Sequence, residues 1–447
     1  MNTNPRQSGR FSSLEDWLDW LETLHPKKID LSLGRVKTVL SALRLERPPY
    51  RVITIAGTNG KGSCVAILES IYLEAGYRTG AFTSPHLWRF NERLRVDGSE
   101  ATDAELIDVF RAIEAVRGDV TLSYFEYSAV AAVVWFTRQQ VQVALLEVGL
   151  GGRLDAVNAL DPDASMIVSI DLDHQAWLGE TRGAVALEKA GILRQGRPAI
   201  VADRDPPECL LEYARNLGTS LRVSGRDFDH DDESAARWRF QNASGNSFLL
   251  PVPSFGGRVQ LGNAAACAAV IESLEPDLPV TASALSRGIA RAHLYARFEC
   301  RSLDGVEWIL DVAHNPEAAR VLAEELVAAP RPGRTIAVFA AMADKDIPGV
   351  VEPFFDFVEE WIVIRADSER GAPENSLMEV LRDGRTAHAR AASGVVEACR
   401  DARNLARDGD RVVVFGSCYI VGPAMTALGL YCAPSPADDR SSRWTGV

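Results

Sequence analysis

Apolar and polar positions along the chain fall into two successive series of buried strands and helices. Leu14, Trp17, Leu18 and Leu21 recur at helical spacing and predict a helix over 13–24, with Ser13 as its cap. "RVITIAG" (51–57) is a β-branched run that predicts a buried strand, and 63–76 then predicts a helix closed by Gly76. Further strands are predicted at 78–84, 141–149, 164–174 and 198–203, with helices at 126–140 and 262–274. Strands that are apolar throughout and alternate with helices predict a parallel sheet covered on both faces. The stretch 225–258 is more polar and less periodic, and predicts a small β insert. A second series follows, with strands at 307–312, 335–341, 360–366 and 411–417, and with 291–297 as the junction.

The expected fold class is therefore α/β, with an N-terminal parallel sheet followed by a second α/β series. A chain of 447 residues is long enough for two or three such units. The expected boundaries are 13–297 and 298–432, with disordered segments at 1–12 and 433–447.

Composition narrows the partners. A net charge of −13 argues against nucleic acid, so an anionic substrate must be met by a local positive cluster. The seven cysteines (64, 209, 267, 300, 399, 418 and 432) form no C-x-x-C pair, and reduced thiols in a cytoplasmic protein are expected. The start of the chain has no apolar leader, and "YSAVAAVVWF" (127–136) is too short to cross a bilayer. A monomer with no membrane partner is expected.

Chemistry is concentrated where strands end. "AGTNGKGS" (56–63) is close to a phosphate loop but is spaced differently from G-x-x-x-x-G-K-[ST]. Gly57, Gly60 and Gly62 let backbone N–H groups face one point at a helix N-terminus. Lys61 adds a charge for phosphate, and Ser63 adds a hydroxyl for Mg²⁺. A structural glycine turn is the competing reading. "LEVGLGGRLDAVN" (146–158) puts Glu147 at a strand's carboxyl end, where ligands collect, and brings Arg153 and Asp155 toward the same crevice. "SIDLDHQAWLG" (169–179) brings Asp171, Asp173 and His174 to the sheet end that carries Ser84. "EKAGIL" (188–193) predicts Lys189 early in a helix, where a solvated lysine is the default. "ILDVAHNPEAARVL" (309–322) ends a strand with Asp311 and His314, and Asn315 with Pro316 opens a helix. "AMADKDIP" (341–348) and "FGSCYIVG" (415–422) end the next strands.

In combination, "GTNGKGS", "SPHLWRFNERLRVDG", "YFEY", "LEVGLGGRLDAVN", "DHQAWLG", "EKAGI", "GNA", "DVAHNPEAA" and "DKDI" resemble the folylpolyglutamate synthase and dihydrofolate synthase branch of the Mur ligases, over about residues 13–428. The resemblance implies an ATP-dependent carbon–nitrogen ligase, with an N-terminal P-loop-type ATPase domain with a parallel sheet and a C-terminal Rossmann-like α/β domain that closes over it. In that family a substrate carboxylate is phosphorylated and the amine of L-glutamate then displaces the phosphate. It implies ATP contacts at Gly57, Thr58, Asn59, Gly60, Lys61, Gly62, Ser63, Asn263, Arg297, Asp311 and His314. It implies magnesium ligands at Ser63, Ser84, Glu147 and His174, and at Lys189 once carbamylated. Lys61, Glu147, His174 and Lys189 are then the catalytic set. Dihydropteroate or folate contacts fall on Ile29, Asp30 and Leu31, on Tyr124, Phe125, Glu126 and Tyr127, and on Leu154, Asp155 and Ala156.

These pterin segments imply the bifunctional type, which acts on both dihydropteroate and folates. A monofunctional folylpolyglutamate synthase, a cell-wall Mur ligase and a non-catalytic nucleotide-binding relative are the alternatives. The chain departs from the family pattern at Ser32–Gly34, at Tyr295–Ala296 and at Ala341. Alanine at 296 in place of glycine is expected to stiffen the junction.

Overall fold

The computed structural model describes residues 11–242, 244–329, 333–384 and 388–431. Most of the two expected disordered termini therefore lies outside the described residues. Phe11, inside the first of them, packs edge-on against Trp17 at 5.2 Å.

The first sheet has eight strands: β1 (Arg51–Ala56), β2 (Thr79–Phe82), β3 (Leu94–Val96), β4 (Ser99–Glu100), β5 (Val143–Glu147), β6 (Ala164–Ile167), β7 (Pro198–Val201) and β8 (Ser220–Val223). Their order is β4-β3-β2-β5-β1-β6-β7-β8. All pairs from β2 to β8 are parallel, while β3 and β4 add an antiparallel edge. Because β1, β2, β5 and β6 run the same way, their carboxyl ends, and the loops that follow, share one rim. One face packs on the long helix Tyr124–Arg138, and the other on helices Lys61–Glu74 and Val259–Ser273. The polar stretch forms a three-stranded antiparallel sheet of β9 (Phe228–Asp232), β10 (Arg237–Asn242) and β11 (Ser247–Pro251), as its composition predicts.

The second sheet contains β12 (Glu299–Leu303), β13 (Val306–Leu310), β14 (Thr335–Phe339), β15 (Val358–Val363), β16 (Ala389–Ala391) and β17 (Arg411–Phe415), in the order β12-β13-β17-β14-β15-β16. Only the β12–β13 pair is antiparallel. Each face has its own apolar core. The α/β class and the two-sheet plan agree with the pattern of apolar positions.

Three local expectations change. The strand predicted over 164–174 stops at Ile167, because the following residues leave the sheet to support the glycine loop. Thr58 N–H donates to the Ser169 carbonyl at 2.9 Å, and the Thr58 hydroxyl both donates to the Asp171 carbonyl and accepts from its N–H. Lys189 is in the last turn of its helix (Arg182–Ala190), not early in it, because the cap, Thr181, lies eight residues before it. Helix Val259–Ser273 begins three residues before the predicted start. Its first N–H groups are taken by Glu325, which belongs to the second sheet's unit and bonds both Arg258 and Val259.

Candidate active site

A cleft of about 1920 Å³ runs between the two sheets, on the carboxyl rim of the first. Thr58, Asn59, Gly60, Lys61, Gly62, Ser63, Ser84, Glu147, His174, Asn263, Arg297, Asp311 and His314 line it. Gly60 holds a left-handed φ of 80° as the residue before the helix, which aims the following N–H groups into the cleft. A Cβ there would lie 2.7 Å from Val168 Cγ1 and 3.1 Å from Asn263 Oδ1, so only glycine fits and Asn263 is brought against the loop. A Cβ on Gly62 would lie 3.7 Å from Glu147 Oε2 and 3.9 Å from Arg297 Nη2. The loop, the acidic strand end and the junction arginine thus converge on one spot.

Glu147 is buried, and its Oε2 accepts the Ser84 N–H at 3.0 Å. Burial raises its pKa, while Lys61, the Ser84 N–H and Arg297 oppose the rise. Lys61 Nζ turns back onto the carbonyls of Gly57 (2.9 Å) and Thr58 (3.1 Å) and has no acidic partner among the described residues. Lys189 lies behind the rim. Gly152 closes on it so tightly that a Cβ would meet the Glu188 carbonyl at 2.8 Å. Burial, then repulsion from Lys61, lowers the Lys189 pKa to about 7. His174 sits at a left-handed φ of 50°, and burial lowers its pKa to about 4, so its imidazole is neutral and able to bind a metal.

From the second unit, Asp311 accepts the N–H groups of Phe298 and Ala313 at 2.7 Å each. Its neighbour across the junction, Ala296, is held at φ 58° and donates its N–H to Glu299 at 2.8 Å. An alanine thus occupies a backbone region that favours glycine.

Two contacts between the units escaped sequence reasoning. Asn59 donates to Asn315 Oδ1 (3.1 Å) and Glu317 Oε2 (2.5 Å), and Asn315 donates back to Asn59 Oδ1 (3.0 Å). Asp173 receives Lys345 at 2.5 Å and Asn315 at 3.3 Å, with His314 Nε2 at 3.7 Å. Against burial, which raises it, His314 and Lys345 hold the Asp173 carboxyl well below the usual range. The only sequence signals were "DKDI" and the polar run after β13.

The residues matched to the pterin site line none of the cleft. Ile29 and Leu31 are half-buried. Asp30 is held by His25 and Arg35, each at 3.1 Å, and Arg35 also pairs with Glu126 at 2.8 Å. Tyr124 lies under the Arg93 guanidinium at 5.5 Å, and Phe125 fills the space that a Cβ at Gly149 would need. The Tyr127 ring is in the core, with its hydroxyl on the Phe110 carbonyl at 3.0 Å. Leu154 is half-buried and Ala156 is buried. Asp155 is buried and accepts from Leu150 (2.9 Å) and Val157 (3.0 Å); burial pushes its pKa up to about 7. Arg153 turns away from the crevice to Glu188 at 2.8 Å.

Among the described residues no three His, Cys, Asp or Glu side chains form a ready-made metal cage. The donor set nevertheless fits magnesium, which binds through one or two carboxylates and fills its remaining positions with water and substrate phosphate. Glu147 supplies the carboxylate, and its cleft-facing side has no cation within ion-pair distance among the described residues.

A phosphate loop on the rim of one parallel sheet, closed over by a second α/β unit, defines a two-domain ATP-dependent ligase. Residues 296–418 match the family model "Mur ligase, glutamate ligase domain". The dihydrofolate synthase/folylpolyglutamate synthase of Escherichia coli is 39% identical, over 93% of this chain and 96% of its own. The solved E. coli FolC in complex with DHPP and ADP aligns with TM-score 0.88 and 38% identity, over 94% of this chain and 98% of that one. The bifunctional folylpolyglutamate synthase/dihydrofolate synthase of Yersinia pestis, complexed with AMPPNP and Mn ion, aligns with TM-score 0.86 and 40% identity, again over 94% and 98%. The chain belongs to the dihydrofolate synthase/folylpolyglutamate synthase family of Mur ligases.

Proposed function

We propose that the chain ligates L-glutamate to dihydropteroate, giving dihydrofolate, and to folates, extending a polyglutamate tail, through an acyl phosphate. The convergence of Gly62, Glu147 and Arg297 on one point between the units carries this reading. Residues 13–297 form the ATP- and pterin-binding domain, and 298–432 the glutamate-ligase domain. The enzyme works in the cytoplasm as a monomer; the free thiols of Cys64, Cys209, Cys267, Cys399 and Cys418 support the reducing compartment. No described helix is long and apolar enough to cross a membrane.

The loop N–H groups and Lys61 hold the ATP phosphates, with Asn263, Arg297, Asp311 and His314 closing around the nucleotide. Glu147 and His174, with the hydroxyls of Ser63 and Ser84, hold magnesium, and Lys189 joins them as a carbamate. Its near-neutral pKa leaves much of it as the free amine, the form that takes up CO₂. Magnesium, when bound, screens the repulsion between the γ-phosphate and the substrate carboxylate. A carboxylate oxygen attacks the γ-phosphorus, and ADP leaves. The glutamate nitrogen then attacks the acyl carbon, phosphate leaves, and the nitrogen gives up its proton. Closure of the second domain keeps water from the acyl phosphate.

Substrate labelled with ¹⁸O in its carboxylate is expected to yield phosphate carrying one ¹⁸O; unlabelled phosphate removes the acyl-phosphate step. Dihydropteroate and tetrahydrofolate are both expected to elicit glutamate-dependent ADP release. Release with tetrahydrofolate alone reduces the activity to the monofunctional one.

Arg35 links two of the three pterin segments, 29–31 and 124–127, through Asp30 and Glu126. Arg35→Met is expected to raise the KM for dihydropteroate about tenfold, since a hydrogen bond to a charged group contributes about 1.5–3 kcal/mol. The KM for ATP is expected to stay within about twofold. An unchanged dihydropteroate KM means that the two segments do not act as one site.

A further inference from the structure

Glu69 and Arg95 form a buried ion pair that the reaction above leaves unused. Glu69 is 6% exposed and belongs to helix Lys61–Glu74, which follows the phosphate loop. Its Oε2 accepts from Arg95 Nε at 3.1 Å and from Nη2 at 2.9 Å. Its Oε1 is buried and has no hydrogen-bond partner among the described residues. A buried pair with an unsatisfied oxygen stabilises a fold less than well-packed apolar side chains of similar volume do. Joining the helix to β3 is therefore a poor reason for this pair to be there.

The other side of the guanidinium indicates a better one. Arg95 Nη1 reaches from β3 to both ends of the segment before it, donating to Thr83 Oγ1 at 3.0 Å and to the Glu92 carbonyl at 2.9 Å. The Thr83 N–H closes the same segment by donating to the Arg93 carbonyl at 3.0 Å. Inside it, the Glu92 carboxylate accepts the N–H groups of Leu87 (2.8 Å), Trp88 (2.8 Å) and Arg89 (2.6 Å). Residues 83–93 are thus a closed loop tied at its neck by Arg95. Ser84 stands next to that tie, with its N–H on Glu147 Oε2. Ser63 is on the helix that carries Glu69. A guanidinium spans the three groups because its N–H bonds fan out in one rigid plane; a compact ammonium does not.

We propose that Glu69 and Arg95 are a positioning pair: through Thr83 they hold Ser84 in register with Ser63 and Glu147, and so set the spacing of the groups that receive magnesium. This rests on the ligase reading above. Neither side chain touches metal or substrate in this role. Glu69 aims Arg95, and Arg95 aims the loop.

Arg95→Met is expected to raise the Mg²⁺ concentration for half-maximal rate about tenfold, the effect of losing hydrogen bonds from a charged donor, while the KM for ATP at saturating Mg²⁺ stays within about threefold. Arg95→Lys, which keeps the charge but not the span, is expected to recover only part of the loss. Two readouts need no turnover. Amide hydrogen exchange in residues 83–93 of the protein without metal or nucleotide is expected to quicken about tenfold. Mn²⁺ binding in the presence of AMPPNP, followed by electron paramagnetic resonance, is expected to weaken by about the same factor as the Mg²⁺ requirement rises. The double variant Glu69→Met with Arg95→Met separates position from stability. It leaves no buried charge unpaired, so its thermal midpoint is expected to match the wild type within a few degrees. Its Mg²⁺ requirement and loop exchange are expected to stay raised. If Arg95→Met does not fold, the double variant decides by the same readouts.

A Mg²⁺ requirement that returns to the wild-type value together with the thermal midpoint overturns the proposal and leaves the pair a structural one. So does unchanged exchange in residues 83–93. If exchange quickens and Mn²⁺ binding weakens in the variants, yet the wild type makes no amide, the positioning role stands and the ligase reading fails.

Discussion

Lys61→Ala is expected to lower kcat by about 10³-fold while leaving the thermal midpoint within a few degrees. Losing one preorganised charge aimed at a transition state costs about 10²–10³ in rate. Lys61 is also the loop's only cation. Its bonds in the structure go to the carbonyls of Gly57 and Thr58, and in the proposed function a nucleotide's phosphates take their place as partners. The residue carries little of the fold, because the loop is also tied down by Thr58 and Asn59 through Ser169 and Asp171. Steady-state ADP release with saturating acceptor and glutamate checks the rate, and calorimetry checks the fold. Wild-type turnover in the variant removes the loop from the chemistry.

The second large effect belongs to Lys345. Its ammonium and the Asp173 carboxylate meet at 2.5 Å with side-chain exposures of only 7% and 11%, so solvent screens them little. Removing one partner of a buried pair costs about 3–5 kcal/mol. Asp173 belongs to the first unit and precedes His174; Lys345 belongs to the second. Lys345→Met is therefore expected to weaken docking of the two units and to lower kcat by about 10²-fold. Nucleotide affinity, which the proposed function assigns mainly to the glycine loop, is expected to change by less than about fivefold. Small-angle scattering with AMPPNP is expected to show a more open particle than the wild type. Adding Asp173→Asn to this variant is expected to cost little more, because the pair acts as a unit. Full activity, or an unaltered scattering profile alongside a lost rate, overturns the docking role.

What the sequence disclosed follows from which forces are local. The buried strands β1, β5, β14 and β17 are legible because each is an unbroken apolar run. The glycine loop is legible because backbone turns and phosphate cradles demand particular residues in a row. The short strands β3, β4 and β16 are not, since two or three residues carry no periodicity and are held by their neighbours. The early start of helix Val259–Ser273 is invisible for a similar reason: its capping carboxylate, Glu325, lies 66 positions from Val259. The residues after Ile167 read as strand because Val168 and Ile170 continue the apolar pattern, but hydrogen bonds to Thr58 and Asn59 draw the chain away. Asp173–Lys345 and Asn59–Glu317 were hidden because pairing across two units leaves no spacing to read.

The far end of the described chain does not hang free. Tyr431 stacks on Trp88 with ring centroids 3.5 Å apart and planes 6° from parallel, and the Trp88 indole N–H donates to the Gly422 carbonyl at 2.8 Å. Trp88 lies between β2 and β3 of the first sheet, whereas Gly422 and Tyr431 follow β17 of the second. The covalent junction at 291–298 is thus joined by a second, non-covalent anchorage. Two bodies joined at one point can swivel in any direction. An opening that parts Asp173–Lys345 and Asn59–Glu317 but keeps both anchorages is confined to rotation about the line through them, like a door on two pins.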